Sequence, residues 1–258
     1  MSSTDIESSG LPSLNMPAMA NSASRPSATV PYRSATTSRI FDADLQPLHL
    51  SDHTSVVYRT YLVRYGRSMD DQQLLREAVG LERAAQQALL RGDVARSRTL
   101  FRDAAERYRA SWEAAGPRAF GRLIGFLKAS VLWGEGGHAA AYVREQLRDG
   151  CDSPPACYAL ALAAAIQGDD ADALPAIEGM RASGDAAFER TADALHALAV
   201  GDRDAYASAV TAIVADFAAR EDHLTGVAFA DTAVMLERLA ARREMAVRPA
   251  ATVMPVLG

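Results

Sequence analysis

The stretch Leu160–Gly201, LALAAAIQGDDADALPAIEGMRASGDAAFERTADALHALAVG, reads as helix, turn, helix, turn, helix. Its turns share a signature. Ile166-Gln167-Gly168-Asp169 closes one apolar run and Val200-Gly201-Asp202 closes another. Upstream, Leu90-Arg91-Gly92-Asp93 and Trp133-Gly134-Glu135 follow the same form, so the glycines are 42, 34 and 33 residues apart. A glycine just past an apolar helical run is a left-handed C-terminal stop. An acidic residue directly after it suits the N-terminus of the next helix. Spacing near 34 is that of helix-turn-helix repeat arrays.

Apolar periodicity extends the pattern in both directions. Leu74, Ala78, Leu81, Ala85 and Ala88 alternate at four and three residues, an amphipathic stripe. Thr54–Tyr65 is expected to form a separate short helix before it, with Val57, Tyr61 and Tyr65 on one side. Phe101, Ala104, Tyr108 and Trp112 mark a helix that Gly116-Pro117 ends, with Pro117 opening the next one. Phe120, Leu123, Leu127 and Val131 form the next face, and Ala139–Leu147 a shorter helix. Gly150–Pro155 reads as a loop. Cys157–Ile166 is almost wholly apolar and should be covered on all sides. Ala171–Met180 pairs with it, limited or kinked by Pro175. Phe188, Ala192, Leu195 and Ala199 mark one further helix, and Tyr206, Val210, Ile213 and Phe217 another. The last helix is expected over Thr225–Arg243, with Phe229, Ala233, Leu236 and Ala240 facing inward.

Residues 1–39, rich in Ser, Ala, Thr and Pro, lack the apolar surface to offset ordering entropy and read as disordered. Residues 40–258 read as one helical repeat domain. Ile40–Ser51 is an extended lead-in, and Met245–Leu257, with Pro249 and Pro255, is an extended tail packed back on the domain. The expected fold is all-α: a right-handed array of helical hairpins, a solenoid or bundle, with a disordered N-terminus.

The net charge of −5 conceals an asymmetry. Residues 59–128 hold 14 basic and 8 acidic side chains, whereas residues 129–195 hold 4 and 11. The acidic section, with Asp169, Asp170 and Asp172 in one turn, suits a basic partner protein because complementary charge steers association. Lys128 is the one lysine, read here as a compositional bias toward arginine. Cys151 and Cys157, six positions apart and separated by two prolines, match no common metal pattern. They read as reduced thiols near a helix start, in keeping with a cytoplasmic setting. The chain has no apolar run of transmembrane length and no secretory leader pattern.

Catalytic signatures are sparse. Arg91-Gly92-Asp93 spells an adhesion tripeptide but occupies the same turn as the other Gly-Asp pairs. G-x-S-x-G, H-E-x-x-H and a phosphate-cradling loop are all missing from the sequence. His49 and His53 have helical spacing but no third ligand, and His196 reads as a boundary residue. No cofactor, metal or catalytic residue is expected, and nucleic acid is not the expected partner. The most unusual polar stretch is Arg220-Glu221-Asp222-His223, followed by Asp231 inside an apolar helix. Val227, Asp231, Val234 and Arg238 fall on one line, so Asp231 is expected to be semi-buried against Arg238, His223 or backbone amides. Asp169, Asp170, Asp172, Asp222, His223, Asp231 and Arg238 are therefore the candidate partner-binding residues. An enzyme would instead need Asp231, His223 and a third polar group around one cavity.

The C-terminal stretch 186–257 carries a resemblance. Ala194-Leu-His-Ala-Leu-Ala-Val-Gly-Asp202 precedes a helix ending near Asp216-Phe217. An acidic turn at Glu221-Asp222, Gly226-Val227, a helix running into Ala240-Ala241-Arg242-Arg243 and a closing Met254-Pro255 follow. This resembles the Imm49 immunity proteins, all-α proteins that neutralise toxins of bacterial polymorphic toxin systems. The repeats as a whole resemble tetratricopeptide-like (TPR-like) arrays. The resemblance implies a non-enzymatic protein that binds a toxin domain. The alternative is an adaptor or regulatory repeat protein of a biosynthetic or signalling operon.

Overall fold

The computed structural model describes residues 52–255, with side chains from Asp71 onward. Segment 1–39, the lead-in Ile40–Ser51 and His49 lie outside the described residues, and the side chains of His53, Val57, Tyr61 and Tyr65 do as well. Among the described residues the fold is all-α. In chain order the helices are α1 (Asp52–Leu90), α2 (Val94–Ala114), α3 (Phe120–Trp133), α4 (Gly136–Gln146) and α5 (Pro154–Gln167). They continue as α6 (Asp170–Arg181), α7 (Ala186–Val200), α8 (Arg203–Ala219) and α9 (Asp231–Ala241). Each of α1 to α8 packs on its successor. In addition α3 touches α5, α5 touches α7, and α9 returns to α3, α7 and α8.

The four Gly turns are one motif repeated. Gly92, Gly134, Gly168 and Gly201 all have φ between 73° and 117°. In each, the N–H of the following residue reaches back to the same carbonyl: Asp93 to Ala88, Glu135 to Ser130, Asp169 to Ala164 and Asp202 to Ala197, at 2.9–3.0 Å. This satisfies an orphan carbonyl at each helix end. The acidic residues divide in their roles. Asp93 and Asp202 cap the next helix through their carboxylates, accepting from Arg96 N and Ala205 N. Glu135 and Asp169 make no such bond.

α5 is the most enclosed helix. Ala156–Ile166 is buried save for a half-exposed Leu160, because α3, α4, α6 and α7 surround it. Its alanines permit that close approach. Several expected boundaries move. α1 is one continuous helix rather than two, Pro154 and Pro155 open α5 rather than lying in a loop, and Pro175 is accommodated inside α6. Pro117 lies in the connection before α3, beside Arg118 at φ 89°.

The last helix is shorter than its apolar face suggests. Phe229, Ala233, Leu236 and Ala240 are all buried, yet helix begins only at Asp231. Gly226 is left-handed at φ 69°, and Ala230 N–H donates to Val253 O of the tail at 2.8 Å instead of to a preceding turn. The tail does pack back: Met245, Val253 and Met254 are buried. Glu237, almost wholly buried, accepts from Tyr206 Oη at 2.8 Å and from the Val247 and Arg248 N–H groups, which pins the tail to α8 and α9.

The reduced-thiol expectation is overturned. Cys151 and Cys157 form a disulfide. Gly150, at φ 96°, turns the chain back so that Cys151 meets the first turn of α5 with the two Cα atoms 5.0 Å apart, within the range a disulfide spans. Gly179 of α6 packs on this bridge so closely that a Cβ there would fall 2.6 Å from Cys157 Sγ. The thiol argument for a cytoplasmic setting falls with it. No described helix is long and apolar enough to cross a membrane.

Two stability measurements follow from these contacts. A Cβ added at Gly168 or Gly201 meets nothing within 4 Å, so only left-handed backbone strain opposes it. Gly168→Ala and Gly201→Ala should each lower urea-unfolding stability by about 1–2 kcal/mol. Reducing the disulfide, or replacing both cysteines by serine, should cost about 2 kcal/mol, the closure entropy of so short a loop.

Candidate functional site

A cavity of about 280 Å³ opens where α1, α3, α5, α7, α8 and the 220–230 loop converge on the start of α9. Its walls are apolar, from Ile124, Phe188, Ile213, Phe217, Val227 and Phe229. Its floor is charged. Lys128 Nζ donates to Asp231 Oδ2 at 2.7 Å, and both side chains are largely buried, 13% and 18% exposed. The short α9 makes this possible: Asp231 stands in its first turn, where Oδ1 also accepts Thr232 N at 2.7 Å. A carboxylate at a helix N-terminus is favoured by the helix dipole. Burial alone would lower the Lys128 pKa, but the Asp231 carboxylate and its neighbours outweigh it and hold the ammonium charged.

Glu82 of α1, 5% exposed, lines the same floor. It accepts from Tyr108 Oη at 2.5 Å and from Gln86 Nε2 at 3.2 Å. Burial, reinforced by the Asp231 charge, raises its carboxyl to about 7, while the Tyr108 hydrogen bond and the Lys128 charge pull the other way. Gln86 in turn accepts from Thr225 Oγ1 at 2.6 Å, and Arg83 Nε donates to Thr225 O, so the 220–230 loop is tied to α1. Tyr158 of α5 stands edge-on to Phe188, ring centroids 6.2 Å apart. Its hydroxyl lies among Thr232, Lys128 and Asp231 yet makes no hydrogen bond of normal geometry, in a residue only 7% exposed.

The mouth is built from α7, α8 and the loop. Asp216 is held by Arg190 Nη2 at 2.7 Å and by Arg220 Nε at 3.1 Å. Burial opposes its ionisation, but these guanidinium bonds prevail and lower its pKa. Arg220 lies over the Phe217 ring at 4.0 Å, and His223 stacks on the same ring at 6.3 Å. Beside them Leu224 is 82% exposed, far more than any other large apolar residue among those described.

The structure therefore brings together two of the sequence candidates, His223 and Asp231. The partner of Asp231 is Lys128, together with a backbone amide, and not Arg238 or His223. Arg238 donates to Val131 O and Leu132 O, capping the C-terminus of α3. Asp222 is exposed in the loop. The acidic turn lies away from this cavity, and its three aspartates share two arginines. Asp169 and Asp172 both pair with Arg144, and Asp170 pairs with Arg243 at 2.6 Å.

Glu82, Tyr108, Lys128 and Tyr158 escaped the sequence reading, although signals existed. Lys128 is the sole lysine, set inside the apolar face of α3. Glu82 falls on the line Ala78, Ala85 and Leu89, all buried, which places a carboxylate toward the core. Compared with family models, curated proteins and solved structures, the chain has no significant match.

The raised Glu82 carboxyl has a consequence for stability. A carboxyl whose folded pKa exceeds its unfolded one favours the fold while protonated. That contribution is complete below about 4.5 and is lost as pH rises through about 7. The thermal midpoint of the wild type should fall between pH 5 and pH 8, and Glu82→Gln should flatten that decline.

Proposed function

We propose that the protein is a non-enzymatic binding protein, and that its recognition element is the 220–230 loop with the cavity beneath it. The observation that carries this reading is Leu224. Leu224, 82% exposed, carries the apolar lining of the cavity out to its mouth, and a contiguous apolar surface of this kind suits the side chains of a partner. The loop around it is tied by Thr225 to α1 and by the Arg220–Phe217–His223 stack to α8, which lowers the ordering entropy that binding would cost. Asp222 and His223 belong to this surface. Asp169, Asp170 and Asp172 lie apart from it, paired with Arg144 and Arg243.

Within this reading, the helices form a right-handed TPR-like hairpin array with α9 laid against its inner row. The recurring glycine caps and the contacts α3–α5 and α5–α7 support that arrangement. The partner is another protein, and neutralisation of a toxin domain, the role implied by the Imm49 resemblance, is the most specific form of the proposal. An adaptor role would use the same surface, and an adjacent gene for a secreted toxin separates the two. An enzymatic reading has one observation in its favour: Glu82, raised to about 7, shares the cavity with Asp231 and His223. Against it, both Glu82 oxygens are already engaged by Tyr108 and Gln86.

The test is site-specific photo-crosslinking in the producing cell. A benzophenone amino acid at Leu224 should trap one discrete polypeptide, and the same group at exposed Arg148 should not. Equal labelling at both positions, or none at Leu224, would remove the loop as the recognition element.

A further inference from the structure

The floor of the cavity has a surplus of donors. Every carboxylate oxygen that lines it already accepts from one partner. Glu82 Oε1 and Oε2 accept from Gln86 and Tyr108, Asp231 Oδ1 and Oδ2 from Thr232 and Lys128, and Asp216 Oδ1 and Oδ2 from Arg190 and Arg220. The Gln86 carbonyl is taken by Thr225. On the donor side, an ammonium carries three N–H bonds, and Lys128 spends one, on Asp231. The Tyr158 hydroxyl, in a residue 7% exposed, spends none. Unmatched donors at such depth are costly. A ligand that brings acceptors relieves them, a carboxylate most of all, whereas an ammonium brings none.

We infer that the cavity takes a carboxylate carried on an apolar body, with its oxygens on Lys128 Nζ and Tyr158 Oη. The apolar body lies against Ile124, Phe188, Ile213 and Phe229. The volume, about 280 Å³, is at the small end for ligand pockets. It suits a small apolar acid or the terminal residue of a polypeptide chain. The inference rests on the reading of this cavity as the recognition site and names what that site holds. Two like charges face the incoming carboxylate, Asp231 and Glu82. Asp231 is neutralised by Lys128, while Glu82, surrounded by Tyr108, Gln86, Lys128, Tyr158 and Asp231, is neutral only when protonated. Ligand binding therefore takes up a proton at Glu82 as pH rises past about 7. Of the charges that line the cavity, Asp231 and Lys128 are those that act on Glu82.

The experiment is titration calorimetry on the full chain with octanoate, 4-phenylbutyrate and their neutral amides. A second arm uses a short peptide ending in phenylalanine, as free acid and as C-terminal amide. Acids should bind and their amides at least about tenfold more weakly, since a charge-assisted pair is lost. Which arm binds, free acid or peptide acid, identifies the source of the carboxylate. Tyr158→Phe should weaken acid binding about fivefold, the loss of one hydrogen bond. Between pH 6 and pH 8 acid affinity should fall about tenfold as the protonated fraction of Glu82 declines, and Glu82→Gln should remove that dependence. Because Lys128→Met alone strands Asp231, the double variant Lys128→Met/Asp231→Asn, checked for helicity by circular dichroism, replaces it and should abolish acid binding. No binding by any acid, equal binding of acid and amide, or indifference to Tyr158→Phe each overturns the inference. If acids fail while Leu224 still captures a partner, the carboxylate chemistry is wrong and the recognition surface stands.

Discussion

The pair between Lys128 and Asp231 is the constraint on which the rest depends. It joins the middle of α3 to the first turn of α9 across 103 positions of sequence. A buried ion pair contributes little net stability against apolar packing, but removing one partner leaves an uncompensated charge. Its effect is therefore one of position. It fixes where α9 begins, which leaves residues 220–230 as a non-helical loop and opens the cavity beneath them. The identity of the cation matters. Lysine offers a compact point charge on a slim stem, which fits among α3, α5 and α9 where a planar guanidinium would need more room and more acceptors.

The two buried glutamates illustrate how surroundings set the use of one side chain. Glu237 meets a phenol and two backbone N–H groups at the tail, so its carboxylate is fully engaged and works as a clasp. Glu82 has a phenol and an amide, with a second carboxylate nearby, and burial raises it to about 7. The clasp holds the tail, and the tail in turn holds Ala230 through Val253 O. The start of α9 is thus fixed twice, by a charge from α3 and by the returning C-terminal segment. Both fixings act on the loop that carries Leu224.

Charge on the exterior is largely internal business. The acidic section pairs with Arg144, Arg181 and Arg243, and surface pairs of this kind stabilise weakly. Arg144 and Arg181 belong to the acidic section itself and only Arg243 comes from outside it, so these pairs leave the section acidic. The exposed features that remain distinctive are apolar and local, centred on the loop.

The repeat was legible in the chain because it rests on local rules. An apolar run ended by glycine and an acid specifies the same left-handed stop whatever surrounds it, and Gly92, Gly134, Gly168 and Gly201 all adopt it. The core faces of the helices and the enclosure of α5 were legible for the same reason, since period and composition act within a single helix. Asp231 was marked by its polarity in apolar company, and His223 by its place in the polar run Arg220–His223. Their companions were not, because Glu82, Lys128 and Tyr158 come from three other helices, and periodicity is blind to which helices meet. Tertiary structure also decided the start of α9, where a hydrogen bond from Ala230 N–H to the tail overrides an apolar pattern that reads as helix. It decided the disulfide, where a left-handed Gly150 brings together two cysteines that spacing alone left as thiols. Local pattern determined the elements, and only the meeting of distant ones could place a lysine, a tyrosine and two carboxyls around one cavity.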